Sequence, residues 1–457
     1  MTNVVISIII LLALLLFGLP LPIVFFTATI YMVISSGVDP SFAIPYGYNK
    51  INSLTILVIP LFIIAGAFMQ ESSIGDKLLS AAEKLVGRKV KGGIGVAVCI
   101  ACAIFGAISG SANAALTTLS PICYPKLYAR GYSKGFACSL MASASILGCL
   151  IPPSGMMIVF AWVTNTSVLA CFLATFVPGL VLTAVFSIIN LIEAKKMGVT
   201  ALGDSDSGSV NAANGVLTAA GEKTARKKID FSVFWALFMP VFVLGSIYGG
   251  IMTPTEAASA SAFYAFIVGV FIYKKLSFKK ITKLLATAGK SSGIVMFLIF
   301  SVTILSRMYI DAGLPNKVFT LLSSITSSKF LMLVFINIFL VIIGMLMDDA
   351  SGIVLAAPLL TPIIQQMGID MVHFAAIIGV NLGMGGITPP TAPMTYLAGK
   401  LGGGDFTEML WPTLKLIIFG WLPVLVITTY WESFSLFLPR LILGYYCLLY
   451  TSDAADE

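Results

Sequence analysis

Along this chain, apolar residues come in long runs separated by short polar breaks, not in alternation. Val4 to Ile34 is apolar, interrupted only at Gly18, Pro20 and Pro22, so it forms either one long bent helix or two short ones. Ile51 to Met69 is a clean spanning stretch. Glu71 to Gly93 is amphipathic, with Lys77, Lys84, Arg88, Lys89 and Lys91, and reads as a helix lying at the cytoplasmic interface. Ile94 to Leu127 is apolar around a small polar patch, Ser109-Gly110-Ser111-Ala112-Asn113. Tyr132 to Ile151 stops at Pro152-Pro153, Met156 to Val163 resumes, and Val168 to Ile192 is another full span.

The second part repeats the style. Phe231 to Gly249 is followed by Thr253-Pro254-Thr255-Glu256, which predicts a helix start with Thr253 as N-cap and Glu256 closing a capping box. Six lysines between Lys274 and Lys290 predict a cytoplasmic loop before the span Ser291 to Ile310. Phe330 to Met367 is broken at Met347 to Gly352, Val372 to Ile387 stops at Thr388-Pro389-Pro390, Met394 to Leu401 follows, and Met409 to Tyr430 is the last span. Between the parts, Gly198 to Arg226 is rich in Gly, Ser, Ala, Asn and Asp, the composition of a solvated linker.

Composition makes the solvent lipid. The chain is 58% hydrophobic and 10% charged, with mean hydropathy +1.00, whereas a soluble surface needs roughly 25% charged residues. A crossing takes about 20 apolar residues, so 457 residues hold roughly ten to twelve. The predicted fold is therefore an all-α polytopic membrane protein. The net charge of +7 sits in short loops, with no basic stripe for nucleic acid. Cys99 and Cys102 form a C-x-x-C inside an apolar run, which reads as buried small residues. His373 is the only histidine, which argues against a zinc site or a histidine-based triad.

Two windows resemble each other, one from Gly106 and one from Gly344. Ser120-Pro121-Ile122 answers Thr361-Pro362-Ile363, Gly131 answers Gly368, and Gly148-Cys-Leu-Ile-Pro-Pro answers Gly385-Gly-Ile-Thr-Pro-Pro. The turn of the first window carries Lys126, Arg130 and Lys134, and that of the second only Asp370 and His373. Under the positive-inside rule the hairpins then enter from opposite faces, an inverted-topology repeat. The domain order this predicts is scaffold helices over 1–93 and a first repeat over 94–195 (hairpin 94–127, broken helix 132–163). A linker over 196–229 and scaffold helices over 230–327 come next. A second repeat spans 328–432 (hairpin 330–367, broken helix 372–401).

Within lipid an unpaired backbone group costs several kcal/mol, so paired breaks must be buried or line a cavity. Carbonyls freed at a proline break, with nearby hydroxyls, form an all-oxygen environment suited to a hard cation. Asp348 and Asp349 are carboxylates inside a membrane segment, which mark ion pathways. Either Asp348 faces the cavity while Asp349 reaches water, or both cap the second arm of the hairpin.

The stretches GAISGSANA, ARGYSKGFACSLMASASILGCLIPPS, GGIMTPTEAAS, GMLMDDASGIVLAAPLLTP and GMGGITPP, with LWPTLKL after it, resemble the large membrane subunit of tripartite ATP-independent periplasmic (TRAP) transporters. The resemblance runs from about residue 4 to 444. It implies a non-enzymatic, multi-pass protein of the bacterial inner membrane that takes up carboxylate-bearing solutes, such as C4-dicarboxylates or sialic acid, on a Na+ gradient. It implies a periplasmic solute-binding protein and a small four-helix membrane subunit as partners, and an elevator-type motion of the hairpins and broken helices against a fixed scaffold. Carried over by motif, one Na+ site uses Ser109, Ser111, Gly148, Ile151 and Pro153, and a second uses Gly344, Asp348, Gly385 and Thr388. The solute is expected near Asn113 and Thr391, with Arg307 a further candidate. The other reading is a stand-alone Na+- or H+-coupled anion symporter or antiporter of the same inverted design. The last residues, 445–457, depart from the family pattern and are expected to be an artefact of assembly or reading frame.

Overall fold

The computed structural model describes residues 2–37, 39–72, 74–86, 90–201 and 231–445. The predicted linker from 202 onward and the last twelve positions lie outside the described residues. Apart from one isolated bridge between Lys91 and Ala201, the described regular structure is helical. The first part holds α1 (Thr2–Leu16), α2 (Leu21–Ser35), α3 (Pro40–Ile51), α4 (Leu54–Glu71), α5 (Ile74–Val86), α6 (Gly93–Ser109), α7 (Ala112–Ala129), α8 (Lys134–Leu150), α9 (Gly155–Thr164) and α10 (Val168–Lys196). The second part holds α11 (Phe231–Tyr248), α12 (Pro254–Ile267), α13 (Phe278–Asp311), α14 (Leu314–Ile325), α15 (Lys329–Leu346), α16 (Asp349–Gln366) and α17 (Met371–Gly385). It closes with α18 (Pro393–Gly402), α19 (Phe406–Leu416), α20 (Leu422–Tyr430) and α21 (Glu432–Leu443).

The open question over Val4 to Ile34 resolves into two helices. The chain turns between α1 and α2 at Gly18, whose φ of +75° an L side chain rarely adopts. The N-terminus of α12 forms as predicted. Thr253 Oγ1 accepts from the Glu256 N–H at 3.3 Å, and Glu256 Oε2 accepts from the Thr253 N–H at 2.8 Å. Replacing Thr253 with alanine is expected to cost about 1 kcal/mol, read as a lower unfolding temperature of the detergent-solubilised protein. Among the described residues, α4, α10, α12 with the π turn after it, α13, α15 and the continuous α19–α20 are long and apolar enough to cross a membrane. The pair α8–α9, bent by 44°, makes a broken seventh. That is fewer than ten to twelve, because α1, α2 and α17 have only 15 residues each and α6 only 17. The lysine-rich stretch is also not a loop: α13 already begins at Phe278, so Lys279, Lys280, Lys283 and Lys290 stand on its first turns.

The two repeats match helix by helix from the hairpins into the central helices, α6–α8 onto α15–α17. Ala112 to Asp349 and Ala129 to Gln366 are the same shift of 237 positions, so α7 maps onto α16 at both ends. The same shift carries the end of α6 onto the end of α15 and the start of α8 onto the start of α17. The repeat is therefore free of gaps from the hairpin tip onward, not only from Gly131. The pairing of Pro121 with Pro362 is corrected by one helical turn: Pro121 answers Pro358, and Pro125 answers Pro362. Contacts are reciprocal as well, α7 with α18 and α9 with α16, α8 with α19 and α10 with α17. Reciprocal pairing of this kind is the mark of a two-fold relation.

At the centre lie α8 and α17. Every residue of α8 from Gly135 and of α17 from Val372 is buried, as expected of a helix apolar on all sides. Cys99 and Cys102 are buried, free thiols in α6. His373 is buried at the start of α17, where Nδ1 lies 2.5 Å from Ser435 Oγ and Nε2 3.3 Å from the Thr429 carbonyl. It binds α17 to the C-terminal helices.

Candidate functional site: a cavity between two hairpin tips

The first hairpin turns over two residues, Gly110 and Ser111. Gly110 adopts φ +63° after α6, and Ser111 caps α7, its Oγ accepting from the Ala114 N–H at 3.4 Å. Ser109 Oγ donates to the Ser111 carbonyl at 3.4 Å. The Gly110 carbonyl accepts from the Gly155 N–H at 3.4 Å, which ties the tip to the break between α8 and α9. At that break Ile151 is extended, Pro152-Pro153 is cis, and Ser154 caps α9. One turn earlier the helices touch through glycine: a Cβ on Gly148 would lie 2.3 Å from Gly106 Cα.

The second hairpin repeats this with different side chains. Met347 is extended after α15, and Asp348 stands at the N-cap position of α16, where its Oδ1 accepts from Ser351 Oγ. A Cβ on Gly385 would lie 2.6 Å from Gly344 Cα, so the second pair of backbones is also in contact. At the break after α17, Thr388 Oγ1 donates to the Met384 carbonyl at 2.6 Å, and Pro389-Pro390 is cis. Thr391 Oγ1 donates to the Met345 carbonyl at 2.5 Å, fastening the break to the hairpin.

Between the tips lies a cavity of about 520 Å³. Asn113 from the first hairpin, Met345 to Asp349 from the second, and Gly386, Thr391 and Met394 from the second break line it. The structure thus brings Asn113 and Thr391 to one cavity. Ser109, Gly148, Ile151 and Pro153 are buried around the first tip, with Ser111 half-buried. Gly344 and Gly385 are buried around the second, with Thr388 half-buried and Asp348 exposed. Both aspartates line the cavity, but against expectation it is Asp348 that is exposed, while half-buried Asp349 crosses between repeats: Cys149 Sγ donates to its Oδ2 at 3.1 Å. Arg307 is not a lining residue and pairs with Asp311 at 3.0 Å. Among the described residues, no lysine or arginine lines the cavity. The donor atoms are carbonyl and hydroxyl oxygens at the first tip, joined by carboxylate oxygens at the second, the set a hard cation accepts.

Sequence reasoning missed the remaining wall. Ile146 comes from α8, Leu12 and Leu15 from the last turns of α1, and Leu21 from the start of α2. These are ordinary apolar residues, and no local signal separates them from lipid-facing ones. Cys149 could have been found, since it directly follows the glycine of the repeated motif.

The family profile for the tripartite ATP-independent periplasmic transporter, DctM component, matches residues 8–434. The isethionate TRAP transporter permease protein DctMQ of Oleidesulfovibrio alaskensis is 32% identical over 92% of this chain, which spans 64% of that relative's length. The C4-dicarboxylate TRAP transporter large permease protein DctM of Rhodobacter capsulatus is 31% identical, covering 86% of this chain and 89% of its own. The sialic acid TRAP transporter large permease protein SiaM of Vibrio cholerae is 28% identical over 92% and 94%. In fold, the chain is similar to the Alcanivorax borkumensis YdaH transporter, with a TM-score of 0.62 at 14% identity over 86% of this chain and 90% of that one. With the profile covering nearly the whole helical body, this chain belongs to the tripartite ATP-independent periplasmic transporter family as its large, multi-pass membrane permease component, a transporter and not an enzyme.

Proposed function

We propose that this permease is the solute-translocating subunit of a Na+-coupled symporter that imports carboxylate-bearing solutes handed over by a periplasmic binding protein. The observation that carries the reading is the cavity bounded by two matched hairpin tips, each backed by a glycine contact and a proline break. Na+ is held as cargo by oxygen donors alone, at Ser109, Ser111, Gly148, Ile151 and Pro153 around one tip. The second set is Gly344, Asp348, Gly385 and Thr388. Asn113 and Thr391 contact the solute. With no lysine or arginine among the described residues lining the cavity, the solute's negative charge is balanced by the co-transported cations.

The lysine asymmetry between the two turns supports opposite insertion of the repeats. The hairpins (94–127 and 330–367) and broken helices (132–163 and 372–401) move together as the elevator against a fixed scaffold. The relatives' names support an organic-anion solute of the C4-dicarboxylate or sialic-acid kind, and the name DctMQ together with the 64% coverage supports a second, small membrane subunit.

The test is uptake into proteoliposomes holding the permease and its small subunit. Uptake of the solute is expected only with an inward Na+ gradient and with the binding protein present. Uptake driven without the binding protein would instead establish a stand-alone carrier, and uptake indifferent to Na+ would remove the coupling ion.

A further inference from the structure

Helix α13 has 34 residues, about 51 Å at 1.5 Å per residue, well beyond the roughly 30 Å of a hydrocarbon core. Its first turns carry Lys279, Lys283 and Lys290, all exposed. At about 100° per residue these three fall within about 40° of arc, one stripe along the helix. Ile294 and Phe297 continue the stripe, 49% and 42% exposed. The neighbouring Lys280, off this stripe, pairs with Glu71 at 3.9 Å. Among the described residues the three stripe lysines have no carboxylate partner, and the sequence has no acidic residue between Glu256 and Asp311. Like charges four apart oppose helix formation, so among the described residues the stripe is uncompensated.

We infer that this stripe is a binding site for an anionic phospholipid, its headgroup phosphate on Lys279, Lys283 and Lys290 and an acyl chain along Ile294 and Phe297. Charge and polarity change along the helix axis, not around it, in the order in which a lipid presents headgroup and tail. A polybasic segment beside a spanning stretch gains affinity for an anionic leaflet with each lysine. The inference needs only a membrane permease and is independent of Na+ coupling or solute.

Native mass spectrometry of the detergent-purified full chain, titrated with phosphatidylglycerol or phosphatidylcholine, tests it. Phosphatidylglycerol is expected to bind more tightly, and the triple variant Lys279→Gln, Lys283→Gln, Lys290→Gln to bind it on the order of 100-fold more weakly. The triple arginine variant at the same positions is expected to keep binding. An equal loss of charge elsewhere (Lys84→Gln, Lys195→Gln, Lys400→Gln) is expected to leave binding within about threefold. Wild-type-like binding by the glutamine variant would overturn the site. So would an equal loss in the control variant, which marks diffuse charge, or the absence of any lipid preference, which leaves the face to a partner's helix.

Discussion

Replacing Gly148 with valine is expected to abolish uptake and to leave little folded protein. The Cβ would arrive 2.3 Å from Gly106 Cα, backbone against backbone, so no rotamer change relieves the clash. Overpacking a core ordinarily costs 1–3 kcal/mol, and here two helices must separate at the base of a hairpin. The same argument predicts a comparable loss for Gly385→Val, whose Cβ would meet Gly344 Cα at 2.6 Å. Gly289→Ala is the counter-example. Nothing lies within 4 Å of its Cβ position in α13, so it is expected to raise helix stability by up to about 1 kcal/mol and leave uptake unchanged. Folded yield by fluorescence-detected size exclusion, beside uptake, checks all three.

The second large effect belongs to Asp348. Asp348 makes no side-chain cap hydrogen bond to the α16 backbone, and the asparagine oxygen can still accept from Ser351 Oγ, so Asp348→Asn keeps the start of α16 while removing the charge at the tip. The fold is therefore expected to survive. Loss of a charged ligand contact of about 3 kcal/mol corresponds to uptake lower on the order of 100-fold, with saturation by Na+ moved to higher concentration. Asp311→Asn, which removes the exposed partner of Arg307, is expected to stay within about twofold, the worth of a surface ion pair. Equal effects from both substitutions would deny Asp348 a special role.

Much of this architecture was legible because lipid leaves few ways to satisfy a backbone. The polar patch at Ser109 to Asn113 and the proline pairs at 152–153 and 389–390 announced half-crossings, and the hairpin tips and breaks are where those residues stand. The Thr253–Glu256 capping box was legible for a local reason, since N-cap and third helical residue lie next to each other in sequence. The register of the repeat was harder. Ser120-Pro121-Ile122 and Thr361-Pro362-Ile363 look alike as triplets, yet each arm carries two prolines four apart, and only the helix ends show which answers which. The start of α13 was misread because lysine is both a loop residue and a good helix former. The wall contributed by Leu12, Leu15 and Leu21 was illegible, since an apolar side chain facing a cavity and one facing lipid carry the same local signal.

Everything proposed about transport depends on the two hairpins entering the membrane from opposite faces. With Cys447 replaced by serine, the six remaining cysteines are buried, so single reactive thiols can be introduced as Lys134→Cys beside one turn and Gln366→Cys beside the other, both exposed positions. A membrane-impermeant maleimide applied to intact spheroplasts is expected to label Gln366→Cys and to reach Lys134→Cys only in inside-out vesicles. Labelling of both from the same side would contradict the inverted repeat and the coupling scheme built on it.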